Sequence, residues 1–163
     1  GLIKVYSEIN VGTTFKVYFP RAMEAADRLS KEKGTDLPQG TETVLLVEDE
    51  AMVRKLARKI LERQGYEVIE MENGGSAYAY FDEHDDPVDL LLTDVVMPNM
   101  NGKTLFNKLK EKRPGLKAIF MSGYTENAIA HHGVLDEGTN FIQKPFTIET
   151  LARMVRKVLD QEE

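Results

Sequence analysis

From Thr43 onward the chain repeats one pattern: a short apolar run, a turn, then a stretch with helical apolar spacing. That alternation constrains the fold more than any composition figure, because strand–helix repeats return each new strand parallel to the last. The strand-length runs are TVLLVE (43–48), YEVIEM (66–71), LLLTD (90–94), LKAIFMS (116–122) and TNFIQ (139–143). After the first, Val53, Leu56, Ala57, Ile60 and Leu61 recur at i, i+3, i+4, i+7 and i+8, and the helix they predict stops before Gly65. NGGSAYAYFDEH opens with turn residues and continues as a helix carrying Ala77, Tyr78 and Phe81, while GKTLFNKLKEKRP is a helix halted at Pro114. A weaker helix is expected around Glu126 to His132. Thr147 caps a last one, with Ile148, Leu151, Val155, Val158 and Leu159 on one face.

Near-continuous apolar strands alternating with helices imply a parallel sheet covered on both faces. The expected fold class is therefore α/β, a doubly wound, flavodoxin-like five-stranded sheet over residues 43–163. Ahead of it, residues 2–9 and 13–19 are β-rich and joined by Asn10, Val11 and Gly12, which predicts a hairpin within residues 1–20. Two strands alone bury too little to be stable in water, so this piece needs a partner surface. It begins without a lead-in, as if taken from something longer. Residues 21–42 read as a linker, in which AMEAADRLSKEK has the composition for a short helix.

Charge narrows the function. The net charge of −6 lies wholly in residues 43–163, which carry 15 basic and 21 acidic residues. Such a domain repels phosphate backbones, so direct nucleic-acid binding is not expected. No apolar stretch approaches the roughly 20 residues of a membrane helix. With no cysteine there are no disulfides or thiolate metal sites, which fits a cytoplasmic protein. His84 falls in an acidic surface loop, His131 and His132 at a helix end, and the methionines read as core filling.

In open α/β sheets the functional crevice lies outside the carboxyl ends of the strands. Strand one ends in Glu48-Asp49, strand three in Asp94 and strand four in Ser122, and strand five runs into Lys144-Pro145. An oxygen-rich cluster without His or Cys suits a hard divalent cation such as Mg²⁺. The metal alone does not call for Lys144 or Ser122, but a phosphoryl group does, since its oxygens need further neutralisation. In this reading Asp94 is a nucleophile toward phosphorus, Glu48 and Asp49 hold Mg²⁺, and Ser122 and Lys144 bind the remaining phosphoryl oxygens.

VEDE (47–50), LLLTDVVMPNMNG (90–102), FMSGYTE (120–126) and FIQKPF (141–146), in this order on these strands, resemble the receiver domain of two-component response regulators. The resemblance implies that Asp94 accepts a phosphoryl group from a histidine kinase or a histidine phosphotransfer domain. It implies Mg²⁺ held by Glu48, Asp49, Asp94 and the backbone carbonyl of Val96. It further implies Ser122 and Phe141 as a coupled switch acting on the surface near the domain's fourth helix and fifth strand, and a cis peptide at Lys144–Pro145. Two positions depart from the familiar pattern. Glu48 stands where an aspartate is common, which implies metal contact through water, and Phe141 replaces a tyrosine. Val96 and Tyr124 flank the approach of a hydrolytic water; apolar Val96 is expected to position that water poorly and lengthen the phosphoryl lifetime.

IKVYSEINVGTTFKVYFP (3–20) resembles the last two strands of a histidine-kinase ATP-binding domain. Together the resemblances imply the C-terminal part of a hybrid sensor histidine kinase, with no turnover activity in this fragment; a stand-alone single-domain regulator is the alternative. The exposed hairpin edge raises a homodimer as a further expectation. An aspartyl-nucleophile phosphatase wants a second carboxylate two residues past the nucleophile, where this chain has Val96. A flavin site wants a Gly/Ser/Thr-rich loop after strand one, where it has Glu48-Asp49-Glu50.

Overall fold

The computed structural model describes residues 1–20, 37–123 and 139–161. The helices expected within 22–33 and around 126–132, together with Tyr124, His131 and His132, lie outside the described residues. The chain divides into two compact units, residues 1–35 and residues 36–163.

In the first unit β1 (Leu2–Glu8) and β2 (Gly12–Tyr18) pair antiparallel. Asn10 and Gly12 make the turn with positive φ, 64° and 135°, the backbone region these two residue types enter most readily. The register sets Ile3 opposite Val17 and Val5 opposite Phe15, which gathers apolar side chains on one face. Lys4 opposite Lys16 and Tyr6 opposite Thr14 fall on the other. Every residue of both strands is exposed.

The second unit runs β3 (Thr43–Val47), α1 (Ala51–Arg63), β4 (Glu67–Met71), α2 (Gly74–Glu83), β5 (Leu90–Asp94), α3 (Gly102–Lys112), β6 (Lys117–Ser122), β7 (Phe141–Gln143) and α4 (Ile148–Leu159). The sheet order is β4-β3-β5-β6-β7, with every pairing parallel. This is the flavodoxin-like order, whose switch point falls between β3 and β5. β7 is shorter than the expected TNFIQ run: Thr139 and Asn140 precede it, and the Asn140 carbonyl accepts from Phe120 N at 2.9 Å.

All five residues of β3 are buried, yet they serve two cores by simple alternation. Val44 and Leu46 pack with Ala57, Ile60 and Leu61 of α1 and with Leu151, Val155 and Val158 of α4. Leu45 packs on the other face with Ala77 and Phe81 of α2 and Leu105 and Leu109 of α3. Truncating any of these leucines to alanine is worth about 2–5 kcal/mol, so the central strands are fixed in place.

The apolar stripes are narrower than the sequence predicts. Leu56 is 49% exposed; it sits about 90° around α1 from the middle of the Ala57, Ile60 and Leu61 arc, at 3.6 residues per turn. Ile148, the first residue of α4, is 45% exposed. Asn73, Asn101 and Thr147 cap α2, α3 and α4 by accepting from Ser76 N, Thr104 N and Thr150 N. Glu50, the residue before α1, provides no side-chain cap. The end of the expected linker is tied to the sheet domain: Gly40 N donates to Gln64 O (3.0 Å), Glu67 N donates to Glu42 O (3.1 Å), and Arg156 of α4 pairs with Glu42 at 2.7 Å.

Candidate functional site

Because the strands are parallel and in register, β3, β5, β6 and β7 deliver their last residues to one edge. Glu48 follows β3 directly, Asp94 closes β5, Ser122 closes β6, and Lys144 follows β7. The structure therefore brings Glu48, Asp49, Asp94 and Lys144 to one cluster.

Glu48 is completely buried, with Oε1 accepting from Glu50 N at 3.2 Å. Oε2 has no aligned hydrogen bond; its counter-charge is the Lys144 ammonium, 2.6 Å away. The same ammonium donates to Asp94 Oδ2 at 2.7 Å, while Asp94 Oδ1 accepts from Val96 N at 3.1 Å. One cation thus stands between two carboxylates. Burial, the largest influence, pushes the Glu48 carboxyl above the usual range, and the Asp94 charge adds to that; Lys144 only partly offsets it. For Lys144 burial pulls the other way, but the hydrogen bonds and charges of Asp94 and Glu48 together outweigh it and hold the ammonium above its ordinary value.

Glu48, Asp49 and Asp94 each offer one oxygen, and these oxygens lie within 4.8 Å of one another. Three hard oxygens at this spacing, one of them from the fully buried Glu48 carboxylate, fit an octahedral oxygen-ligated cation of Mg²⁺ type and do not fit a soft metal. Ser122 is buried at the end of β6, and its carbonyl accepts from Lys144 N at 2.7 Å. Phe141 is half-buried against the α2–α3 core, one strand from Phe120. The Lys144–Pro145 peptide is cis. Val96, beside Asp94, is 60% exposed.

Three contributors escaped the sequence reading. Thr93 donates its hydroxyl to Asp94 O at 3.0 Å. Gly102, at the start of α3, lies so close to β5 that a Cβ there would overlap Asp94 O and come within 2.9 Å of Thr93 Cγ2. Arg54 bends back from α1 to the carbonyls of Glu48 (2.5 Å) and Asp49 (3.3 Å). The one available signal for Arg54 was a basic residue a helical turn past the acidic pair.

Residues 44–156 match the response regulator receiver domain. The chain belongs to that family. It is a receiver domain of two-component signalling, a class that exchanges phosphoryl groups with histidine kinases and phosphotransfer proteins. The sensor kinase CckA of Brucella abortus is 40% identical over 172 aligned residues, covering 100% of this chain but 18% of the relative. The chain thus spans less than a fifth of the length of that relative. Among solved structures, the receiver domain of the hybrid histidine kinase CckA superposes with a TM-score of 0.61 at 36% identity, over 72% of this chain and 99% of that one. The regulator TrrA of Thermotoga maritima, solved in complex with Mg²⁺–BeF, gives a TM-score of 0.61 at 26% identity, over 72% and 99%. No described helix of this receiver is long and apolar enough to cross a membrane.

Proposed function

We propose that Asp94 is the phosphoacceptor of this receiver and that Mg²⁺ is held by Glu48, Asp49, Asp94 and the Val96 carbonyl. The observation that carries the reading is the single ammonium of Lys144 shared by Asp94 and a fully buried Glu48, with Asp49 oxygen in reach. In the reaction an Asp94 carboxylate oxygen forms a bond to phosphorus as the phosphorus–nitrogen bond of a phosphohistidine breaks. The imidazole leaves with the electron pair and takes up a proton. Lys144, already on Asp94 Oδ2, stays to neutralise the transferred oxygens, and the Ser122 hydroxyl binds another. Mg²⁺, held by Glu48, Asp49, Asp94 and the Val96 carbonyl, would supply further charge neutralisation for the transfer. The Mg²⁺–BeF complex of the TrrA relative supports this assignment.

Ser122 and Phe141 form the switch: Ser122 moves toward the phosphoryl group and the Phe141 ring follows into the vacated space, repacking the surface around β7. The population shift is read by a partner or by the parent protein. The parent is a hybrid sensor histidine kinase whose receiver works in the cytoplasm, whether or not the parent is membrane-attached; residues 1–20 end its ATP-binding domain, residues 21–42 link, and residues 43–163 are the receiver. Alignment of the whole chain with a sensor kinase supports that placement. The phosphoryl partner is a histidine kinase or a histidine phosphotransfer domain. A homodimer through the exposed hairpin is tested by size-exclusion of the chain with and without residues 1–20; an unchanged monomer excludes it.

The deciding experiment is intact mass after acetyl phosphate, with and without Mg²⁺, beside Asp94→Asn. One added phosphoryl that needs both Mg²⁺ and Asp94 is expected. An adduct that persists in Asp94→Asn overturns the assignment.

A further inference from the structure

We propose that Arg54 is a positioning residue: by clasping the carbonyls of Glu48 and Asp49 it fixes the turn from which both carboxylates reach the metal. The inference rests on the reading that these carboxylates hold Mg²⁺.

The β3–α1 turn needs such a clasp. The other three described helices of the domain start from an Asn or Thr whose side chain accepts an amide of the first turn, and that bond fixes the angle of entry. Glu50 offers α1 no cap. The amide of Glu50 is taken instead by Glu48 Oε1 at 3.2 Å, so one oxygen of a site carboxylate serves the turn itself. On the other side of the turn, two successive carbonyls face a single side chain. Arg54 Nη1 lies 2.5 Å from Glu48 O and 3.3 Å from Asp49 O. Arg54 can hold them because its own backbone is anchored: its amide donates to Glu50 O at 2.9 Å, the first turn of α1. Both contacts come from one guanidinium nitrogen, Nη1, whose two N–H bonds lie in fixed directions in the guanidinium plane, whereas a lysine ammonium rotates freely on its stem. Arg58, one turn later, pairs with the carboxylates of Glu62 and Glu70. Arg54 is directed instead to the backbone of the two residues whose spacing the metal requires.

A charge argument and a positioning argument predict opposite signs. Arg54 brings positive charge close to the acidic cluster, so on electrostatics alone its removal tightens binding of a dication. If Arg54 sets the geometry, removal weakens binding, by the roughly 10- to 100-fold that loss of a partner behind metal ligands costs.

The test is Mg²⁺ affinity of the full chain by calorimetric titration for wild type, Arg54→Ala and Arg54→Lys, with Tm of each in EDTA. Arg54→Ala is expected to bind Mg²⁺ at least tenfold more weakly while its Tm without metal stays close to wild type. Arg54→Lys, which keeps the charge but not the fixed in-plane donors, recovers part of the loss. Unchanged or tighter binding by Arg54→Ala overturns the positioning role, as does a loss fully matched by a fall in metal-free Tm. Should Arg54→Ala not fold, wild-type affinity in Arg54→Lys overturns it and weaker affinity supports it. A wild type that binds no Mg²⁺ overturns the metal reading and this inference together, an outcome distinct from the others.

Discussion

The Lys144 ammonium and Asp94 Oδ2, 50 residues apart in sequence, lie 2.7 Å from each other at the carboxyl edge of the sheet. Lys144 occupies the place between Asp94 and Glu48 where a second cation has the most to gain. Lys144→Met leaves the buried Glu48 carboxylate without its counter-charge, a change worth about 3 kcal/mol. The variant is expected to melt lower than wild type in EDTA and to recover more on adding Mg²⁺, because the cation that competes with the metal is gone. Thermal melts with and without Mg²⁺ check this; an equal Mg²⁺ response in both proteins would remove Lys144 from the site's charge balance.

Gly102→Ala should be destabilising, against the usual sense of a glycine-to-alanine change in a helix, which favours alanine by about 1 kcal/mol. The new methyl would overlap Asp94 O and crowd Thr93. Overpacking of this kind costs about 1–3 kcal/mol, and relief requires the end of β5 to move, taking Asp94 with it. A lower unfolding midpoint in urea, with weaker Mg²⁺ binding, is the expected pair of results.

Much of this site was legible in the sequence because it depends on where strands end. Apolar runs locate Val47, Asp94 and Ser122, and parallel order carries them to one edge, so Glu48, Asp94 and Lys144 could be grouped before any coordinates. What was not legible depends on contacts without local periodicity. Gly102 looks like an ordinary helix-start glycine until the β5 carbonyl is seen against it. Arg54 looks like any basic residue on an exposed helix. The tie between Glu42 and Arg156 spans 114 residues, so the last residues of the linker read as free chain. Leu56 satisfied the helical spacing and still misled, since spacing identifies a stripe but not its width.

Val96→Asn puts an amide where an exposed valine now flanks Asp94. One positioned hydrogen bond to an incoming water is worth about 1 kcal/mol, or about a fivefold faster loss of phosphoryl. Phosphate release after removal of the donor measures it; an unchanged lifetime would show that Val96 does not govern the water's approach.

The Glu42–Arg156 pair gives a pH dependence with a definite sign. Burial, the largest single influence on Glu42, pushes its pKa up. Arg156's hydrogen bond, the Glu42 and Thr41 amides and the Arg156 charge outweigh it and leave the carboxyl below its ordinary 4.5. A depressed carboxylate contributes stability that is present above 4.5 and is lost as pH falls through the folded-state value. Wild type should therefore lose this increment in acid, while Arg156→Met lacks it already near neutral pH. The gap in Tm between the two proteins should narrow as pH falls from about 6 to 3; a constant gap would count against the pair's contribution.

Among the described residues three buried side-chain oxygens lack an aligned hydrogen bond, those of Glu48, Tyr66 and Glu70, and of these the Glu48 oxygen is the one that belongs to the carboxylate cluster at the sheet's edge. The sheet around it, filled on both faces, has one good packing and resists rearrangement. The rim gathers three carboxylates around one ammonium, so its energy is the part of the domain most sensitive to added charge. Rigidity and responsiveness are thus assigned to different atoms, and the boundary between them runs along the last residue of each strand.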